Sequence, residues 1–385
     1  MKKILFVTTR YPFSSTHSGD RLRSSKILNY LSRNSNIDLI YSDKKRGIKK
    51  GNFRGKEIFF KYNSILRIFY IFKSLVHIRP LQNGYFYSPG IKNYIKKNHH
   101  KYKTIVFHLI RSAQYLPKNY KGKKILEMTD IYSNNYKQTI KKMSLLNPFF
   151  YIYLLEKFLI KNYEKHCSNL FDKIILVSKR EILEQNQHIN KRKILIIPNG
   201  SSINKNVYKF NKKNNKILFV GNIKYLPNKY ACYNFVKKIL PKINLQFPKI
   251  QFHIVGEVNF LDRFFLNTYK NVFVLGPVNN LESIIKKSVC GISNLNIATG
   301  FQNKILTYMS FGLPSISSSV SFKGSFFLKK NKDLLVYDNE SQFLKYLIIL
   351  KSNSFLSKKY SKNSFSIVKK KYNWDNILKK YKKIL

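Results

Sequence analysis

Short apolar runs alternate with longer stretches of helical period along almost the whole chain. In the first half, the runs Ile4–Thr8, Ile37–Tyr41, Thr104–Phe107, Lys124–Glu127, Lys173–Val177 and Ile194–Ile197 are too short for helices and predict buried strands. Between them, apolar residues recur at helical spacing over Leu22–Leu31, Ser64–His77, Ile91–Lys97, Leu145–His166 and Arg180–Gln187. Pro198-Asn199-Gly200 is a turn signal. The polar stretch Ser201–Asn215 has little periodicity and reads as a linker. The alternation then resumes, with strands over Ile217–Val220, Gln251–Val255, Val272–Leu275, Val289–Ile292, Ser315–Ser317 and Leu334–Tyr337. Helices are expected over Tyr230–Ile243, Leu281–Lys287 and Asn303–Phe311, and from Tyr337 to the end. The pattern predicts an α/β protein with parallel sheets, made of two similar βα domains joined by one hinge.

The length of 385 residues fits two cores better than one. An apolar fraction of 44% and an aromatic fraction of 15% exclude a disordered or fibrous chain. The formal net charge of +54 admits two readings. It suits nucleic acid, an anionic membrane or a phosphorylated substrate; it also suits compositional drift in a chain rich in Lys, Asn, Ile, Phe and Tyr. Its even spread, +29 over residues 1–200 and +25 over 201–385, argues against a nucleic-acid arm. Cys167, Cys232 and Cys290 lie far apart and predict neither a disulfide framework nor a zinc site, which fits a reducing cytoplasm. The apolar run after Met1 is too short for a signal peptide, and no stretch approaches the ~20 apolar residues that span a bilayer.

Ligands of parallel sheets bind beyond the carboxyl ends of the strands, so the residues just after each strand carry the candidate chemistry. After the first strand, Gly19, Asp20, Arg21 and Arg23 open a helix whose free N–H groups favour anions, although an ordinary glycine turn reads the same way. His108 and Arg111 follow the strand over Thr104–Phe107, and Asp130 follows Lys124–Glu127, where it could equally be a helix cap. In the second half, Gly221, Asn222, Lys224 and Asn228 offer backbone donors, amides and a point charge to a diphosphate. Gly256-Glu257 and Gly276, with Val278 two residues on, repeat the strand–glycine ending. Thr299, Gly300, Phe301, Gln302, Asn303, Lys304 and Thr307 lead into a helix with a cationic first turn, stopped by Gly312-Leu313-Pro314.

In this order, F-V-G-N…L-P-N (219–228), I-V-G, G-P-V and G-F-Q-N-K-I-L-T-Y-M-S-F-G-L-P (300–314) resemble the donor domain of glycosyltransferase family 4. The L-P-N and G-x-Q-N-K elements are similar to the sugar transferases of bacterial exopolysaccharide or exosortase loci. F-D-K-I-I-L-V-S-K-R-E (171–181), I-L-I-I-P-N-G (194–200) and the terminal Y-N-W-D-N-I (372–377) extend the resemblance over nearly the whole chain. It implies a GT-B fold: two Rossmann-like domains facing across a cleft, an acceptor domain over 1–200, a nucleotide-sugar domain over 216–370, and a helix over 371–385 crossing back. It further implies retaining, hexosyltransferase-like transfer from a nucleotide-diphosphate sugar to a glycan or lipid-linked acceptor of a cell-surface polysaccharide. No metal or other cofactor is then expected. His108 becomes the catalytic candidate, with Gly19, Asp20, Arg23, Arg111 and Asp130 in the cleft of the first domain.

Two departures matter. The family's two carboxylates, one for the sugar and one for the ribose, are Thr299 and Thr307 here, and its usual Arg after the first glycine is Asn222. A threonine hydroxyl lacks the charge-assisted strength of a carboxylate, which leaves open a weakened homologue that binds sugar nucleotide without turnover. A basic nucleic-acid-binding protein is a third reading, supported by charge alone. The segment Ser64–His77, apolar, aromatic and basic, reads either as an interfacial helix on an anionic membrane or as a core helix with snorkelling bases. Asn147–Tyr163 is a second such candidate, interrupted by Glu156. The expected location is the cytoplasm, with the inner face of the cytoplasmic membrane within reach.

Overall fold

The structure is a computed structural model that describes residues 3–13, 19–47, 51, 53–141, 143–183, 189–204, 207–296, 298 and 302–385. The chain divides into two compact units, residues 1–197 with 378–385, and residues 198–377.

In the first unit, seven strands form one parallel sheet: β1 (Lys3–Val7), β2 (Asn36–Asp43), β3 (Glu57–Lys61), β4 (Thr104–His108), β5 (Lys123–Thr129), β6 (Lys173–Leu176) and β7 (Ile194–Ile196). Their order is β3-β2-β1-β4-β5-β6-β7. The second unit holds β8 (Lys216–Val220), β9 (Gln251–Val255), β10 (Val272–Gly276), β11 (Ser288–Ser293), β12 (Ser315–Ser318) and β13 (Leu335–Tyr337), in the order β10-β9-β8-β11-β12-β13. Numbered within its own unit, that order is 3-2-1-4-5-6, the dinucleotide-fold order, with its switch point between β8 and β11. Both sheets begin on the same pentapeptide, Lys-Ile-Leu-Phe-Val, and each copy lies at the switch point of its sheet. Such runs suit a central parallel strand, which is covered on both faces: Ile4–Val7 and Ile217–Phe219 are all buried.

The expected strands are present with ends shifted by a residue or two. β3 was not anticipated, because Glu57–Lys61 is a short edge strand with only three apolar residues. The short helices Leu81–Tyr85, Tyr132–Ile140 and Phe260–Asn267 were likewise too brief or too polar to stand out. Of the helix expected over Arg180–Gln187, Arg180–Leu183 is helical and the rest lies outside the described residues. The helix expected over Tyr230–Ile243 runs from Leu226 to Gln246, with a π turn at Phe235–Ile239. Pro241 has no N–H to donate, and the widened turn just before it accommodates that loss.

Asparagine, abundant in this chain, caps the helices that start at Ser64, Pro148, Phe260, Glu340 and Ser354; in each case its side chain accepts a free N–H of the first turn. The core of the second unit is built on Phe219, Phe235, Phe252 and Phe343, with ring centroids 4.5 Å apart for Phe235–Phe252 and 5.5 Å for Phe235–Phe343. In the stretch read as a linker, Tyr208 is buried in this unit and shares a 2.7 Å hydrogen bond with Ser357. Among the described residues no helix is long and apolar enough to cross a membrane.

Candidate functional site

In the second unit the three strand-end glycines lie side by side, because β8, β9 and β10 are neighbours. The Gly221 N–H donates to Val255 at 2.8 Å and the Gly256 N–H to Gly276 at 3.0 Å. Gly256 has φ +139°, and a Cβ there would stand 2.0 Å from the Gly221 carbonyl oxygen. Only glycine permits this approach, and it holds the loop after β8 close against the sheet edge.

Lys304 comes from the first turn of the helix Asn303–Ser310, yet its side chain lies inside the unit, 7% exposed. Its ammonium donates to Asn228 Oδ1 at 2.7 Å and sits 4.4 Å from the centre of the Phe219 ring. Asn228 Nδ2 in turn donates to the Asn222 carbonyl at 2.9 Å, and Asn222 Oδ1 accepts the Lys224 N–H at 2.9 Å. One chain of hydrogen bonds therefore runs from Lys304 into the loop after β8. No carboxylate pairs with Lys304 among the described residues. Burial lowers its pKa from 10.5 to about 7. A cation kept partly discharged this way lacks an anion, and a diphosphate would supply one.

The Tyr308 ring packs over Gly291, where any Cβ would stand 2.3 Å from it. The Tyr308 hydroxyl accepts the Val220 N–H at 2.8 Å and donates to the Ile292 carbonyl at 3.1 Å. Pairing between β8 and β11 extends no further than Leu218–Gly291, so the phenol bridges the two strands where their ladder ends, at the switch point. Thr307 Oγ1 donates back to the Asn303 carbonyl at 3.2 Å. Lys224 and Glu257 form an exposed pair at 3.5 Å, and Val278 packs against the cluster around Tyr308.

In the first unit the switch point lies between β1 and β4. Arg111, in the turn after β4, donates to Thr9 Oγ1 beyond β1 at 2.8 Å and lies 3.7 Å from Asp20 and 4.0 Å from the Phe86 ring. His108 is buried, stacked 5.9 Å from Phe6, and neither ring nitrogen has a hydrogen-bond partner among the described residues. Burial lowers its pKa to about 3; Asp20 opposes this while Arg23 and Arg111 reinforce it, so the imidazole is neutral at physiological pH. Burial raises Asp130 to about 6 against the opposing charge of Arg23, and one of its oxygens has no partner among the described residues. Leu109 and Thr129, at the ends of β4 and β5, have φ of +67° and +69°. Positive φ at non-glycine residues stores strain beside this polar cluster.

Residues 214–353 match the family model described as glycosyl transferases group 1. The matched residues lie in the second unit and include β8 to β13. The chain is similar over 100% of its length to TarM (98% of that chain, TM-score 0.72, 12% identity). It is likewise similar to a sucrose-phosphate synthase from Thermosynechococcus elongatus (100% and 98%, TM-score 0.72, 13% identity). A third likeness is to Anabaena HepE in complex with UDP-glucose (100% and 99%, TM-score 0.67, 12% identity). These likenesses identify the GT-B fold. No curated protein sequence matches the chain.

The second unit brings together six of the fifteen residues singled out in the sequence for donor binding: Gly221, Asn222, Asn228, Gly256, Gly276 and Lys304 meet at the carboxyl ends of the strands. Thr299, Gly300 and Phe301 lie outside the described residues. Gln302 occupies the N-cap position of the helix, and Asn303 Oδ1 accepts from Asn199 at 2.8 Å. Arg23 requires a correction. It was expected to face an anion at the helix that starts at Gly19, but it is 2% exposed and held by Glu127 at 2.8 Å and the Ile197 carbonyl at 2.9 Å. Its guanidinium is an internal strut of the first unit. Tyr308 escaped notice because an aromatic residue on a helix reads as core; its partner Gly291, a glycine inside a strand, was the available signal. Asn294, just past β11, was also missed: it is buried, its Nδ2 donates to the Ala231 carbonyl at 2.8 Å, and its Oδ1 has no partner among the described residues.

Proposed function

We propose that the protein is a retaining glycosyltransferase that moves a sugar from a nucleoside-diphosphate donor to a glycan or lipid-linked acceptor in cell-surface polysaccharide synthesis. The observation that carries the donor class is Lys304: a buried ammonium with no carboxylate partner among the described residues, tied through Asn228 to a glycine-edged loop at the switch point of a dinucleotide-type sheet. A diphosphate beside it would restore the full positive charge. The same charge would then stabilise the departing diphosphate as the bond from the anomeric carbon breaks. The HepE and TarM structures solved with UDP-glucose and UDP make UDP-sugars the first donors to test.

In this reading Gly221 and Gly256 allow the backbone to approach the phosphates, and Thr307 faces the ribose. His108 serves as a neutral hydrogen-bonding group for the reacting sugars. The charge of Lys304 takes the place of a metal, so a chelator should leave activity intact. A second reading, a homologue that binds sugar nucleotide without turnover, draws on Thr307, whose hydroxyl is turned back onto its own helix at 3.2 Å where the family has a carboxylate.

Thermal protection by UDP, GDP and their sugars, with release of free sugar or diphosphate followed in parallel, separates the two. Protection with slow donor hydrolysis supports the transferase; protection without turnover supports the second reading. The absence of protection by any nucleoside diphosphate sinks both. Thr307→Glu should tighten nucleotide binding about tenfold if the position serves the ribose, as expected for a charge-assisted hydrogen bond.

A further inference from the structure

We infer that the first unit docks on an anionic phospholipid bilayer through the helix Ser64–Val76, with a basic pocket on the flank of that helix receiving lipid phosphate. Ile65, Ile68, Phe69, Phe72 and Val76 recur at the spacing of one helical face. That face is uncovered: Ile65, Ile68 and Val76 are 65–78% exposed, and Phe69 and Phe72 are 58% and 66%. The core-packing reading of this segment is thereby overturned, since only Ser74, on the opposite side, is buried. Arg67, also away from the stripe, is sandwiched 3.4 Å from the Tyr62 ring and 4.3 Å from the Tyr85 ring, which fixes the rotation of the helix and keeps the apolar stripe outward.

Beside the stripe lies a cavity of about 260 Å³ lined by Tyr70, Lys73, His77, Arg79, Tyr87 and Lys92, among others, and by no acidic residue. Lys73 stands on the helix itself, one step around from Phe69, and His77 is its C-cap residue. None of Lys73, Arg79 or Lys92 is paired with a carboxylate among the described residues. An apolar face with cationic heads along its flank is what the boundary between acyl chains and phosphates accepts. The occupant is an anionic bilayer because the apolar stripe and the acid-free basic cavity adjoin on one element; a protein partner would need to match both, and a free phosphate leaves the stripe uncovered.

The short helix Leu81–Tyr85 ties this face to a second exposed one. The Tyr70 carbonyl lies against Gly84, where a Cβ would stand 2.2 Å from it. Glu156, on the helix Pro148–Leu170, accepts the Leu81 N–H at 2.6 Å and the Gln82 N–H at 3.3 Å. The carboxylate that seemed to interrupt the apolar surface of that second helix is therefore turned inward, while Tyr151, Leu155 and Phe158 remain 60%, 42% and 58% exposed.

The test is flotation of the full chain with vesicles of phosphatidylcholine, with and without phosphatidylglycerol. Three double variants are compared with the unchanged chain: Phe69→Ser with Phe72→Ser, Lys73→Gln with Arg79→Gln, and a charge control, Lys358→Gln with Lys362→Gln, at exposed positions of the second unit. The unchanged chain should bind the anionic vesicles and, through the apolar stripe, stay bound at raised salt. The Lys73/Arg79 pair should lose about thirty-fold in vesicle affinity and the control no more than about threefold. The Phe69/Phe72 variant should lose the salt-resistant binding. Thermal midpoints and UDP protection measured without vesicles should be unchanged in all three, which separates a failure of docking from a failure of the donor site. Equal losses in the pocket and control variants would mean that net charge alone drives binding, and would overturn the proposal. So would salt-resistant binding that survives loss of both phenylalanines. A smaller sedimentation coefficient of the Phe69/Phe72 variant in the absence of vesicles would assign the face to self-association instead.

Discussion

Replacing Lys304 by methionine should make the protein more stable at pH 6 while removing its nucleotide binding. Burial lowers the pKa of this ammonium from 10.5 to about 7. Each unit of such a shift corresponds to about 1.4 kcal/mol, so keeping the charge inside the folded unit costs about 5 kcal/mol. The unfolded chain binds the proton more tightly than the native one, so the cost is complete below pH 7 and fades as pH rises toward 10.5. At pH 9.5 only about 1.4 kcal/mol of it remains.

Methionine fills a similar volume without the charge, but it leaves Asn228 Oδ1 without its donor, a loss of about 1–3 kcal/mol. The variant should therefore gain about 2–4 kcal/mol at pH 6 and fall level with, or below, the unchanged protein at pH 9.5. Denaturant unfolding of both proteins at the two pH values measures the difference. Thermal shift with UDP at pH 7 should show protection of the unchanged protein and none of the variant. An unchanged gap between the two proteins from pH 6 to pH 9.5 would refute the buried-charge account, because the neighbouring Cys232 thiol is common to both proteins and burial raises it above that window in the folded state. Stabilisation with nucleotide protection retained would refute the assignment of Lys304 to the diphosphate.

Two further substitutions probe the frame around Lys304. Gly256→Ala places a methyl 2.0 Å from the Gly221 carbonyl at φ +139°; it should cost about 3 kcal/mol or more in denaturant unfolding and abolish protection by UDP, and a neutral result would mean that the two loops are not in close approach. Tyr308→Phe unpairs the Val220 N–H and the Ile292 carbonyl, for a loss of about 1–3 kcal/mol, and the Val220 amide should exchange its hydrogen faster. Unaltered exchange at that amide would show that the phenol does not bridge the strands.

Both βα units were legible in the chain because their signals are local. A run such as Lys-Ile-Leu-Phe-Val is too short and too apolar for anything but a strand buried on both faces, and it appears at the centre of each sheet. The glycines at the ends of β8, β9 and β10 also stand out in sequence; at Gly256, close approach to the Gly221 carbonyl and φ +139° leave no other residue suitable, and Gly276 has φ +75°. The L-P-N and Q-N-K elements were visible as motifs, but the reason they occur together was not. Asn228 and Lys304 are 76 positions apart and meet through one hydrogen bond that only the packing of their two helices creates.

Burial was the other quantity that sequence left open. Arg23 looks like a surface cation and is an internal strut. Helical periodicity in Ser64–Val76 marks which side is apolar, but not whether another element covers it; the tertiary structure leaves that side bare and turns Ser74 inward. The chain thus determined its elements and the residue types at their ends, because those depend on neighbours a few positions away. Which polar groups are enclosed, which are paired and which apolar face stays open was decided by contacts between distant segments, where desolvation and partner geometry set the energy.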